Sequence, residues 1–193
     1  MKLQYRDVHH SARSLEPVMK SNLTLIGMPG AGKSTVGIIL AKNLAMGFID
    51  TDVLIQINHQ RSLQQILDES GPLHLKAIEE EEILKLNIDR HIIATGGSAV
   101  YSEKAMTHLG RISKIVFLEV GLETLKGRIH NFESRGIAKT ADQTFGDLFE
   151  ERRRLYQTWA DVTIDGNHLD QEQLAARIAE TVSVLKTKER PEL

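Results

Sequence analysis

The sequence contains no cysteine. Disulfides, thiolate metal sites and cysteine nucleophiles are thereby excluded as sources of stability or chemistry. The absence fits a reducing compartment, and a cytoplasmic protein is expected. Neither sign of charge dominates, with 24 Lys and Arg against 26 Asp and Glu and a net charge of −2. A balance this even gives no general pull toward nucleic acid or anionic membranes. No apolar run approaches the roughly 20 residues needed to cross a bilayer. The first 21 residues lack the continuous apolar core of a signal peptide and read as a polar extension. Within it, His9 and His10 have no third ligand nearby and read as solvated. The chain also lacks internal repeats and low-complexity linkers.

What is present is ordinary for one soluble domain: 193 residues, 41% hydrophobic and 26% charged. We expect a single domain over residues 22–188, with a polar tail at 189–193. Apolar runs suited to buried parallel strands recur at Leu23–Ile26, Phe48–Asp50, Ile92–Ala94, Ile115–Leu118 and Val162–Ile164. Helical stretches alternate with them. Val36, Ile39, Leu40 and Leu44 share one helix face. Ser62 reads as an N-cap, and Gly71-Pro72 as the close of the segment it opens. Leu75, Ile78, Ile83 and Leu86 form the inward face of the next helix, and Leu174, Ile178, Val182 and Leu185 that of the last. The alternation predicts an α/β fold: a doubly wound parallel five-stranded sheet flanked by helices. Residues 131–144, "NFESRGIAKTADQT", break the pattern with a long polar stretch carrying its own glycine, and are expected to form a mobile lid.

The chemistry starts at "LTLIGMPGAGKSTVG", residues 23–37, where an apolar run meets Gly27-x-x-x-x-Gly32-Lys33-Ser34 and then a helical pattern. Glycines at 27, 30 and 32 allow the backbone to turn its N–H groups toward phosphate oxygens, and the following helix adds its positive dipole end. Gly30, Ala31, Gly32, Lys33, Ser34 and Thr35 form the nucleotide-contacting run. Lys33 reaches the β- and γ-phosphates, and the Ser34 hydroxyl is placed to ligate Mg²⁺. ATP and Mg²⁺ are therefore the expected donor and metal.

Two further strand ends join it. "FIDTD" puts Asp50 and Asp52 outside the carboxyl end of the second strand. Asp50 suits a Mg²⁺ water, and Asp52 suits the acceptor hydroxyl, although either can instead cap the following helix. "IIATGGSAV" ends the third strand in Gly96-Gly97, which lets backbone approach a ligand closely. Arg152-Arg153-Arg154 follows two glutamates and has no interleaved aromatic platform. One arginine inward and two solvated is the expectation, with no nucleic-acid partner.

In this order, "GMPGAGKST", "FIDTD", the "IEEE" helix, "IATGG", "IVFLEV" and "ERRRLYQTWAD" resemble the shikimate kinase family. Members transfer the γ-phosphate of ATP to the 3-hydroxyl of shikimate. The resemblance implies that Asp50 serves the magnesium, that Asp52 binds acceptor hydroxyls and that Gly96 and Gly97 line the acceptor pocket. It places Arg128 at the adenine, Arg135 in the lid over the phosphates and Arg152 on the acceptor carboxylate. Lys33, Asp52 and Arg135 then carry catalysis, in a protein expected to be a monomer acting in aromatic amino acid biosynthesis.

Three positions depart from the family pattern. Its Phe-Arg-x-x-Glu is here Leu75-Lys76-Ala77-Ile78-Glu79, so a lysine stands where an arginine fork helps clamp the carboxylate. The triple glycine becomes Gly96-Gly97-Ser98, which adds a hydroxyl near the pocket. The lid sequence Arg-Pro-Leu-Leu becomes Arg135-Gly136-Ile137-Ala138. Lys76 and Ser98 thus join the acceptor-side residues and keep a second acceptor class open: a polyol acid, an amino-acid alcohol or a nucleoside monophosphate. A nucleotide-binding protein without turnover is a further alternative. Retention of Lys33, Ser34, Asp50, Asp52 and Arg135 argues against it.

Overall fold

The structure, a computed structural model, describes residues 20–128, 137–138 and 143–188, with the side chains of 184–188 excepted. Five parallel strands form one sheet in the order β2-β3-β1-β4-β5. They are β1 (Asn22–Ile26), β2 (Gly47–Asp50), β3 (His91–Ala94), β4 (Ser113–Glu119) and β5 (Val162–Asp165). Every residue of the central β1 is buried, as expected for a strand covered on both faces.

The helices are α1 (Lys33–Leu44), α2 (Thr51–His59), α3 (Leu63–Leu84), α4 (Glu103–Ile112), α5 (Leu122–Arg128), α6 (Phe145–Trp159) and α7 (Gln171–Lys188). From β1 the chain steps outward past β3 to β2, then returns through β3 and over β1 to β4. With right-handed crossovers, that reversal places helices on both faces of the sheet. Accordingly α1 packs with α7, and α3 with α4. The reversal also opens a crevice between the carboxyl ends of β1 and β3, where ligands of such sheets bind.

Local sequence explains most element ends. Ser62 caps α3 in a capping box, accepting from Gln65 N while the Gln65 side chain accepts from Ser62 N. Thr144 and Asp147 repeat the device at α6. Gly71-Pro72 does not end its segment. The helix instead runs on to Leu84 through a kink at Gly71, whose φ of 77° and ψ of 171° break the helical hydrogen-bond ladder. Beyond the kink, Leu75, Ile78 and Ile83 are buried. Tyr156 of α6 stacks on Phe117 of β4 at 5.1 Å between ring centres, which seats α6 against the sheet. Among the described residues, no helix is long and apolar enough to cross a membrane.

Candidate active site

The phosphate loop takes its shape from glycine. Gly32, the residue before α1, has φ of 96°, and a side chain on Gly27 would stand 2.8 Å from the Leu118 carbonyl oxygen. Lys33 folds back over the loop. Its ammonium is buried and donates to the Gly27 and Met28 carbonyls at 2.8 and 3.0 Å. Burial pulls its pKa down to about 8, against the opposing pull of Asp52 and Asp50.

Asp50, and not Asp52, caps α2. One carboxylate oxygen accepts from the backbone N–H groups of Asp52 and Val53 at 3.0 and 3.3 Å. The other accepts from the Ser34 hydroxyl at 2.5 Å. The two residues expected to serve the metal are therefore already side by side, one in the first turn of α1 and one at the end of β2. Helix α2 starts at Thr51, two residues before the apolar run that begins at Val53. Asp52 thus sits inside the first turn with its side chain facing the cleft. Burial, and then the Asp50 charge, push the Asp52 carboxyl above its ordinary value.

A cleft of about 440 Å³ runs from the phosphate loop to the end of β3. Gly30, Gly32, Lys33, Ser34 and Thr35 line its loop end. Asp52, Gly96, Gly97, Ser98 and Arg152 line the far end. Ala31 lies behind the loop and borders a neighbouring cavity of about 510 Å³ near the start of α7. Arg128, at the end of α5, borders both cavities. Arg135 and most of the expected lid lie outside the described residues. Ile137 and Ala138 are described and line the cleft, both buried.

Arg152 is the one arginine of its triplet that turns inward, with 1% of its surface exposed. Arg153 pairs with Glu119 at 2.8 Å, and Arg154 is exposed. Arg152 Nη2 donates to the Ala138 carbonyl at 2.7 Å. Its Nη1 lies beside Gly97, 2.8 Å from where a Cβ there would stand. Lys76 is not among the residues that line the cleft. Its ammonium rests over the Tyr101 ring, 3.8 Å from the centroid.

Four residues that the sequence did not single out as site members support the wall. Thr51 Oγ1 accepts from Gly96 N at 3.1 Å, and Tyr156 donates its hydroxyl to the Gly97 carbonyl at 2.7 Å. Tyr101 holds Lys76 on its ring and accepts from Arg152 Nε at 3.4 Å. Glu79 is buried against Gly96, and Ser98 donates to its Oε2 at 2.5 Å. Glu79 carried a sequence signal, the Lys-x-x-Glu spacing on α3, whereas the other three are polar groups met only through packing.

A phosphate loop, a hydroxyl–carboxylate pair beside it and a second wall with a buried guanidinium, all at the switch point of a parallel sheet, define a P-loop small-molecule phosphotransferase. The shikimate kinase family model matches residues 29–183. The chain belongs to the shikimate kinase family. A shikimate kinase of Rippkaea orientalis is 37% identical over 172 residues, covering 86% of this chain and 91% of the relative. A structure of shikimate kinase from Acinetobacter baumannii in complex with shikimate superposes with a TM-score of 0.80 at 27% identity, covering 89% of this chain and 97% of that one. The Aquifex aeolicus shikimate kinase gives a TM-score of 0.74 at 28% identity, covering 86% and 98%.

Proposed function

We propose that this protein transfers the γ-phosphoryl group of ATP to the 3-hydroxyl of shikimate, with Mg²⁺ as the accompanying ion. Membership of the family supports the reaction, and one observation on this chain carries it. The phosphate loop and the Asp52–Arg152 wall line the same continuous cleft, so donor and acceptor meet without a large rearrangement of the sheet.

The residues divide the work by position. Backbone N–H groups of residues 30–35 and the α1 N-terminus cradle the phosphates, and Arg128 borders the space for the base. Lys33 exchanges its two loop carbonyls for phosphate oxygens, which favour its charged form. The Ser34 hydroxyl and the Asp50 carboxylate, 2.5 Å apart, are hard oxygen donors suited to Mg²⁺. Bound there, the ion would supply positive charge against the charge that develops on the transferring phosphoryl group. Asp52 orients the attacking hydroxyl and takes its proton. Arg152 offers Nη1 to the acceptor carboxylate while Nη2 stays on Ala138. Gly96 and Gly97 let the acceptor ring approach the backbone. Lys76 adds charge from its place on Tyr101, and the family resemblance assigns Arg135, outside the described residues, to the phosphates.

A coupled ADP-release assay across shikimate, other hydroxy acids, amino-acid alcohols and nucleoside monophosphates tests this. Shikimate should give the highest kcat/KM, with strict dependence on Mg²⁺. Turnover of another acceptor at a higher kcat/KM would overturn the assignment of shikimate.

A further inference from the structure

Glu79 is a costly residue to bury. Its side chain is 2% exposed, and among the described residues its Oε1 has no hydrogen-bond partner. An unpaired carboxylate oxygen in such a position costs free energy unless a ligand or water completes it. Its direction is informative. A Cβ on Gly96 would lie 2.1 Å from that Oε1 and 2.6 Å from Asp52 Oδ1, so both carboxylates converge on one bare backbone position. Glu79 also lines the cleft. The free oxygen therefore stands beside the residue that receives the acceptor hydroxyl.

Lys76, one helical turn before Glu79 and the natural cation to hold it, is engaged on Tyr101 instead. Among the described residues, the hydrogen bond that fixes Glu79 comes from Ser98, 19 positions further along the chain. Ser98 itself is buried, and its hydroxyl donates its hydrogen bond to the carboxylate. Its hydroxyl is thus spent on Glu79 and is no longer a donor for the acceptor.

We propose that Ser98 is a positioning residue for the second substrate: its hydrogen bond to Glu79 Oε2 sets the carboxylate so that Oε1, beside Asp52, receives a second hydroxyl of the acceptor. Two adjacent acceptor oxygens select a ligand with neighbouring hydroxyl donors over one with a single hydroxyl. Charged groups facing Glu79 from the other elements are Asp52 of α2, Lys33 of α1 and Arg152 of α6. None of them hydrogen-bonds it in this structure, so its orientation rests on Ser98.

The inference builds on shikimate as acceptor, and steady-state kinetics separate the two. Wild-type turnover of shikimate tests the acceptor. If another hydroxylated acid from the panel is preferred, that compound replaces shikimate in the comparison below. Ser98→Ala should raise the acceptor KM about tenfold or more, the scale of a lost charged hydrogen bond. The ATP KM should stay close to wild type, since the phosphate loop is untouched, while Tm falls modestly with the lost buried hydrogen bond. Ser98→Thr, which keeps the hydroxyl, should restore the acceptor KM. In a Glu79→Met background, Ser98→Ala should add nothing further, because its target is gone. Wild-type acceptor KM in Ser98→Ala would overturn the proposal. So would a parallel loss of ATP affinity, or independent effects of Ser98→Ala and Glu79→Met in the double variant.

Discussion

Lys76 and Arg152 meet on the same aromatic ring: the lysine ammonium lies 3.8 Å and the arginine guanidinium carbon 5.3 Å from the centre of Tyr101. Only Arg152 goes on to line the cleft. The tyrosine therefore holds two cations that the family resemblance assigns jointly to the acceptor. Burial, and then the neighbouring Arg152 charge, lower the Lys76 pKa, against the opposing pull of Glu151 and Glu79.

The two cations should accordingly respond unequally to substitution. Arg152→Lys keeps a charge but loses the fork that reaches both Ala138 and the cleft, so the acceptor KM should rise by about tenfold to a hundredfold. Lys76→Ala should change it by a few fold, and Lys76→Arg by less, since arginine stacks well on Tyr101. Steady-state kinetics at saturating ATP read the difference. A larger effect at position 76 than at 152 would reverse the assignment of the clamp.

Gly96 offers a sharper geometric test. An added Cβ would meet Glu79 Oε1 at 2.1 Å and Asp52 Oδ1 at 2.6 Å, displacing both carboxylates from the acceptor wall. Gly96→Ala should therefore abolish acceptor turnover while calorimetric ATP affinity stays within a few fold of wild type. Retained turnover would show that neither carboxylate needs its present position.

The Ser34–Asp50 contact joins folding to metal use. Asp50→Ala removes the α2 cap and should cost about 0.5–2 kcal/mol of stability. Asp50→Asn retains an oxygen acceptor for the cap, so it should lose less stability yet require more Mg²⁺ for half-maximal rate. Thermal melts and Mg²⁺ titrations of the two variants separate these roles. An unchanged Mg²⁺ requirement in both would remove Asp50 from the metal site.

Glu79 predicts an unusual pH dependence. Burial, and then the Asp52 charge, raise its carboxyl from 4.5 to about 7, although the Ser98 hydrogen bond pulls the other way. A carboxyl whose folded pKa lies above its unfolded one binds more protons when folded. Its contribution is fully present below pH 4.5 and is lost as pH rises through 7. Glu79→Gln should thus be more stable than wild type at pH 8, by about 1–3 kcal/mol, with little difference near pH 4.5. The same variant should use acceptor poorly, a trade of stability for function. Denaturant melts between pH 4.5 and 8 check the sign, and a variant less stable at pH 8 would refute it.

The amino-acid sequence by itself determined the sheet and the donor site. Strand positions follow from apolar runs, and the phosphate loop works through the backbone of consecutive residues, so both are written in neighbouring positions. The cap at Ser62 and one inward arginine in the triplet were legible for the same reason, while the resemblance to the family singled out Arg152. Tertiary structure decided the acceptor side. Whether Asp50 or Asp52 caps α2 turned on a two-residue difference in the helix start, set where β2 ends against β3. Gly71-Pro72 kinked α3 instead of ending it, because burial of Leu75, Ile78 and Ile83 carried the helix onward. Ser98 reached Glu79, and Lys76 reached Tyr101, across pairs of elements whose approach depends on how α3 packs beside the end of β3. Contacts between residues far apart in the chain arise from packing the whole domain, and local periodicity carries no record of them.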